Sequence, residues 1–260
     1  MSDKTITSIE NGMSIIELVI SNGGMTQTEV REELDWSKAK THYYMKTLRK
    51  CGLIVQRERE YFAGLGLATY GRAAIEQTEL VHPLRTVVDD LAAETDKLAL
   101  LAVEQNDEIY YVYQSEAGDS AGERNLVGKA REPHCTAFGK VILANVDENR
   151  REALLADVEF DSDSQCSNTS EAELRRELEQ IRENDFAYDE AEFEPSIRGI
   201  AAPIWDTGGE RLLGSLGVIS SEEPLEDPYS GTKAQRFAKT DANIVKRFAK
   251  TARNKLDGGE

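Results

Sequence analysis

The 260 residues predict an α+β chain: an amino-terminal winged helix-turn-helix, a helical linker, and a larger carboxy-terminal domain on an antiparallel sheet. Three observations carry this. From Thr26 to Gly64 the order is a capped helix, a three-residue turn, a second helix, and two short strands around a charged tip. Beyond residue 96, strands and helices mix without the regular alternation that marks a parallel sheet. Charge divides the chain in the same way. Residues 1–75 hold 10 Lys or Arg against 9 Asp or Glu, residues 76–260 hold 21 against 39, and the whole chain carries −17. Two domains with different partners would explain that split.

The first helix is expected to start near Ser8, with Ile9, Met13, Ile16 and Ile20 on one apolar face, and to end at Asn22-Gly23-Gly24. Thr26-Gln27-Thr28-Glu29 is a capping-box pattern that opens the second helix, with Val30 and Leu34 inward. Asp35-Trp36-Ser37 forms the turn, and Ser37 caps the third helix. The apolar stripe of that helix is Thr41, Tyr44, Met45 and Leu48, and Gly52 stands where a helix end favours positive φ. Leu53–Gln56 and Tyr61–Ala63 read as the wing strands, with Arg57–Glu60 at the tip. A helical connector runs from about Ala68 to Glu94, broken near His82-Pro83. The expected domains are therefore residues 1–66, a linker over 67–95 that dimerises, and 96–256.

In the second domain Leu98–Glu104 and Glu108–Gln114 read as strands joined by a turn at Asn106-Asp107. Gly118–Glu123 is a small-residue loop, and Leu126–Arg131 a further strand. Ala137–Asn145 is a helix behind a Thr136 cap, Glu148–Ala156 another, and Asp157–Ser170 a polar connection. A second capping box, Ser170 to Glu173, opens a helix to about Asn184. Ala187–Glu190, Ile197–Trp205 and Leu212–Ser220 are strands, the last two joined through Gly208-Gly209. The string RFAKT occurs at 236–240 and again at 247–251, eleven residues apart. That spacing puts Phe237, Ile244 and Phe248 on one face of a final helix, expected to pack on the sheet.

Composition limits the function classes. Three widely spaced cysteines, Cys51, Cys135 and Cys166, support neither a disulfide framework nor a zinc site, and point to a reduced, cytoplasmic compartment. No long apolar run suggests a signal peptide or a membrane span. Scattered acid without a block of like charges fits a surface adapted to a salty cytosol.

Within residues 38–59 there are seven basic side chains and one acid, Glu58. With the apolar stripe inward, Lys38, Ala39, Lys40, His42, Tyr43 and Lys46 face outward, in a helix of the width that fits a DNA major groove. Lys38 and Lys46 suit phosphates, and Lys40, His42 and Tyr43 suit bases or sugar. Arg57 and Arg59 on the wing suit the backbone or minor groove, and Thr26, Gln27 and Ser37 complete the expected interface with double-stranded DNA. A protein-binding adaptor is the competing reading of the same face. In the second domain, His134-Cys135 suggests a nucleophile, but neighbours on a strand point to opposite faces, so no catalytic residue is expected. The helix start at Thr136 to Lys140 offers free N–H groups to an anion, or simply a capped end. Asp189 and Arg198 suggest either a ligand site or a cross-strand pair. An enzyme built on Asp189, Cys135 and His134 therefore stays open beside the regulator reading.

These segments resemble the IclR family of transcriptional regulators along nearly the whole chain. SIENGMSIIELV is similar to that family's opening helix, KAKTHYYMKTLRKCGLIV to its recognition helix and first wing strand, and YFAGLGLATYG to its second wing strand and linker. LAAETDKLALLAV, HCTAFGKVILA and YDEAEFEPSIRGIAAPIWD resemble segments of its sensor domain. The resemblance implies a GAF-like effector domain, a homodimer or tetramer on a pseudo-palindromic operator, control of a catabolic operon by a small-molecule metabolite, and neither cofactor nor metal. By position it implies an effector cavity lined by Ala137, Phe138, Gly139, Asp189, Gly199, Gly217 and Ile219. Gly199 stands where the family often has Cys, and Gly217 and Ile219 where it often has small polar residues. Few polar groups then remain to orient a small carboxylate, which implies a larger, less charged effector or none.

Overall fold

The computed structural model describes residues 5–115, 125–156, 158, 160, 170–190, 192, 197–220 and 233–257, without the side chains of Glu190 and 233–239. The loop expected at 118–123 and most of the polar connection at 157–170 lie outside the described residues. Two compact units are present, Met1–Gln77 and Thr78–Glu260.

The first unit contains α1 (Thr7–Ser21), β1 (Met25–Thr26), α2 (Gln27–Glu33), α3 (Lys38–Lys50), β2 (Ile54–Arg57), β3 (Glu60–Ala63) and α4 (Gly66–Glu76). Its sheet is antiparallel in the order β1-β3-β2, a three-stranded wing in which the two-residue β1 is an addition to the expected hairpin. Ile15, Ile16, Val19, Met25, Val30, Met45, Leu48 and Ile54 form the core. The expected face of α1 is corrected here. Gly12, Ile15, Ile16 and Val19 point inward, whereas Ile9, Met13 and Ile20 are exposed. The helix is apolar on two sides; of the expected face only Ile16 is buried, so periodicity alone mixed the two sides. Gly12 marks the true inner side, because there the Leu48 side chain approaches closely.

The second unit contains α5 (Val81–Thr95), β4 (Leu98–Gln105), β5 (Glu108–Ser115), β6 (Ala130–Arg131), α6 (Ala137–Asn145), α7 (Glu148–Leu155), α8 (Glu171–Asn184), β7 (Ala187–Glu190), β8 (Arg198–Trp205), β9 (Leu212–Ser220) and α9 (Lys233–Asp257). Six antiparallel strands run in the order β6-β5-β4-β9-β8-β7. Helices α5 and α9 pack on one face, and α6, backed by α8, on the other. Asn106 and Asp107 both take positive φ, 54° and 69°, as a two-residue hairpin turn with the twist of its strands demands.

Three local expectations change. The connector breaks at residues 77–80, and Pro83 sits in the first turn of α5, where its missing N–H removes no helical bond. The strand expected over Leu126–Arg131 shortens to Ala130–Arg131, because Gly128 (φ 82°) turns the chain and Lys129 N–H donates to Leu126 O. Among the described side chains of α9 the buried ones are Ala242, Val245, Ala249 and Ala252, with Ile244 and Phe248 only half-buried, and Phe237 lies outside the described side chains. Small residues let that helix lie close to the sheet, and the guanidinium of Arg247 covers the Phe248 ring at 5.2 Å.

Candidate DNA-reading face and ligand-binding face

The first site is built from two caps. Thr26 Oγ1 accepts from Glu29 N, and Glu29 Oε2 accepts from Thr26 N at 2.7 Å, closing the capping box of α2. Asp35 takes φ 49° to make the turn, and Ser37 Oγ accepts from Lys40 N to start α3. Both hydroxyls thus serve the helix ends, and Gln27 beside them is half-exposed. Thr41, Met45 and Leu48 bury one side of α3, which leaves Lys38, Ala39, His42, Tyr43 and Lys46 exposed.

Lys40 differs from its neighbours. Its ammonium lies 3.7 Å above the Trp36 ring and 6.0 Å from the Tyr44 ring, a cation–π contact that favours this orientation of the long side chain. Arg49 donates to Gln56 Oε1 at 2.7 Å, and Gln56 Nε2 donates to Glu58 O at 3.0 Å, tying the wing to α3. Arg57 sits 5.2 Å over the Phe62 ring, and Arg59 stands exposed at the tip. The result is one helix and one wing presenting cations on a common scaffold, Lys40 and Arg57 each over an aromatic ring. Tyr43 also borders an apolar groove of about 490 Å³ formed with Ile9, Met13 and Leu53.

The second site lies on the sheet face under α6. Strand register sets Leu98, Ile219, Gly199 and Asp189 side by side in one cross-strand row, and Leu100, Gly217, Ala201 and Ala187 in the next. Ala137 closes over the first row: a Cβ added to Gly199 would lie 3.5–3.6 Å from Asp189 Cβ, Ile219 Cγ2 and Ala137 Cβ. The residues expected to line a cavity are therefore neighbours. Their glycines differ in kind, however. A Cβ on Gly139 would meet Pro133 O at 2.2 Å, and one on Gly217 would meet Ile200 O at 2.1 Å, so backbone packing requires both. Gly199 alone of the three has room for a methyl group.

Asp189 is the acid of this face, 6% exposed. Burial pushes its pKa up from the ordinary 3.8 to about 7, although Glu192 N–H donates to Oδ1 at 2.9 Å and opposes the rise. Its strand partner is Gly199, and Arg198 pairs with Glu190 instead, so the cross-strand Asp189–Arg198 reading is set aside. Tyr111 is raised to about 12, chiefly by burial; it hydrogen-bonds Thr136 and meets the Phe138 ring edge-on at 5.3 Å. Thr136 Oγ1 in turn accepts from Gly139 N, capping α6.

Sequence reasoning missed Lys140. It is fully buried, and its ammonium donates to Glu177 and Glu192 at 2.6 Å each. Burial pulls its pKa down, but the two carboxylates outweigh that and leave it raised. The signal was a lone charge inside AFGKVILA, an otherwise apolar helix, which calls for buried partners.

The His134-Cys135 pair also needs correction. These residues lie in a turn, not a strand, with Cys135 N–H donating to Glu132 O. The turn brings His134 Nε2 to 3.8 Å from Cys135 Sγ, and donor atoms of Glu132, His134 and Cys135 all lie within 4.8 Å of one another. Cys135 is bonded in a disulfide, contrary to the expectation from cysteine spacing, whereas Cys51 is free and exposed. Burial lowers the His134 pKa, which favours the neutral imidazole, although Glu132 opposes the shift.

The family model for the IclR helix-turn-helix domain matches residues 8–58, and the model described as bacterial transcriptional regulator IclR C-terminal matches residues 72–239. The chain belongs to the IclR family of transcriptional regulators. A Halobacterium salinarum relative named "Probable HTH-type transcriptional regulator ArcR" is 30% identical over 96% of both chains. The HTH-type transcriptional regulator KdgR of Escherichia coli is 24% identical, covering 86% of this chain and 87% of its own. Among solved structures, Thermotoga maritima IclR superposes with a TM-score of 0.74 at 22% identity, covering 97% of this chain and 99% of that one. An IclR homolog from Microbacterium hydrocarbonoxydans, complexed with 4-hydroxybenzoate, also gives 0.74, at 14% identity over 97% and 100%. As a member of this family the chain is a DNA-binding transcriptional regulator with a carboxy-terminal effector-binding domain. Among the described residues no helix is long and apolar enough to cross a membrane.

Proposed function

We propose that this regulator works in the cytoplasm as a homodimer or as a tetramer built from two such dimers. Two copies of α3 would occupy successive major grooves of a pseudo-palindromic operator, about one helical turn or a multiple apart. The reading set is Lys38, Ala39, Lys40, His42, Tyr43 and Lys46, with Thr26, Gln27 and Ser37 at the helix starts and Arg57 and Arg59 on the wing. The observation that carries this is Lys40, a cation over Trp36 on the most basic surface of an acidic chain. Dimerisation through the first unit and the 67–95 linker is supported by the second apolar side of α1, by exposed Tyr70, and by an α4 with no buried residue in the single chain.

The effector would bind where Asp189, Gly199 and Ile219 meet Ala137 and Phe138, with Gly139 and Gly217 holding the backbones close. A carboxyl that keeps its proton near neutral pH donates a hydrogen bond, which suits a hydroxyl or carbonyl group on a weakly charged metabolite. Binding would shift the balance between DNA-competent and incompetent dimers, with a coupling of about 1–3 kcal/mol. This reading asks no covalent chemistry of Cys135, whose sulfur is held in a disulfide. Lys38→Glu combined with Lys40→Glu tests the interface: retardation of operator DNA should disappear while circular dichroism stays unchanged. Binding that survives would move the reading face elsewhere.

A further inference from the structure

The turn before α6 holds a feature that the regulator reading does not use. His134 is 94% buried by the complement of its 6% exposure, and its Nδ1 has no hydrogen-bond partner. An orphaned buried nitrogen is costly unless something occupies it. The atoms it faces are good metal donors. Glu132 Oε2 lies 3.6 Å from Nδ1 and 3.9 Å from Cys135 Sγ. In a tetrahedral zinc site, bonds of about 2.0–2.3 Å place neighbouring donors about 3.3–3.6 Å apart. The two gaps to Glu132 therefore need to close by no more than a few tenths of an ångström, and the three donor atoms all lie within 4.8 Å of one another.

We propose that Glu132, His134 and Cys135 form a redox-gated site for a borderline-soft divalent cation such as Zn²⁺. In the disulfide form Cys135 has no thiolate to offer, and the site is closed. A dithiol reductant opens it. The dithiol supplies two electrons and two protons, becomes a disulfide itself, and releases two thiols, one of them Cys135. The Cys135 thiol then loses its proton as the cation binds, and Nδ1 and the Glu132 carboxylate complete a three-ligand set. Water takes the fourth position, since Glu132 stands at the exposed side of the cluster, its side chain 66% accessible. The occupied site would pin the residues immediately before Thr136 and the first turn of α6, which is one wall of the Asp189 face.

Co²⁺ titration of the full-length protein tests this, before and after reduction with a phosphine that does not bind the metal. One equivalent should bind after reduction, with a near-ultraviolet thiolate-to-cobalt charge-transfer band, and none before it. The band should vanish in Cys135→Ser and persist in Cys51→Ser. Glu132→Gln changes a side chain that is 66% accessible and nearly isosteric with its replacement, so it keeps the test valid if the buried variants misfold. It should weaken binding about 10-fold or more. A band that survives Cys135→Ser, disappears in Cys51→Ser, is indifferent to Glu132→Gln, or forms equally in the oxidised protein would overturn the proposal, as would no band at all.

Discussion

Asn in place of Asp189 should stabilise the second unit, by an amount that depends on pH. In the fold, burial holds the Asp189 carboxyl at about 7, against an ordinary 3.8. A folded pKa above the unfolded one means that the group's contribution is fully present below the unfolded value and is lost as pH rises through the folded value. At 1.36 kcal/mol for each pKa unit, the loss accumulates between pH 4 and pH 7 to about 4 kcal/mol, then levels off. Asparagine has nearly the same shape, still accepts from Glu192 N–H, and cannot ionise. Asp189→Asn should therefore match the parent near pH 4, gain steadily, and exceed it by about 4 kcal/mol above pH 7. Only Trp36 and Trp205 occur in the chain, so a Trp36→Phe background leaves Trp205 to report on the second unit. Denaturant titrations of both proteins from pH 4.5 to 9 in high salt would give the comparison. A difference that stays flat with pH, or an asparagine variant less stable at pH 9, would refute the reasoning.

Other outcomes follow from the same structure. Lys140→Met leaves Glu177 and Glu192 facing each other without their shared cation, and should cost the second unit about 3–5 kcal/mol, read from Trp205 in the same background. Thr26→Ala removes one half of the α2 capping box and should lower the stability of the first unit by about 1 kcal/mol, read from Trp36 in a Trp205→Phe protein. If the seven basic side chains of residues 38–59 each neutralised a phosphate, log affinity against log salt would fall with a slope of about −6. An acidic protein made for a salty cytosol should show a shallower slope, and a binding titration as steep as the full count would contradict that.

Much of the fold was legible because its punctuation is chemical. The capping boxes at Thr26 and Ser170, the Thr136 cap and the turn at Asn106-Asp107 all sit where side-chain chemistry places them. Where two apolar patterns competed, as on α1, periodicity could not say which side meets the core; the packing of Gly12, Ile15, Ile16 and Val19 in the fold does. On the sheet face, position along the strands brought Asp189, Gly199 and Ile219 into one row. Sequence could not show that Gly139 and Gly217 are glycine for backbone proximity, since that depends on Pro133 and Ile200 arriving from other segments. The turn at Glu132 to Cys135 was hidden for a related reason. Alternation applies to extended chain, and here Cys135 N–H folds back onto Glu132 O.

Genome-wide DNA occupancy of the tagged protein in its host, with a palindrome search under the peaks, tests the central claim most directly. The account predicts sharp peaks over a pseudo-palindrome beside a catabolic operon, lost in the Lys38→Glu, Lys40→Glu protein. No enrichment on any carbon source, or peaks unchanged in that variant, would contradict it.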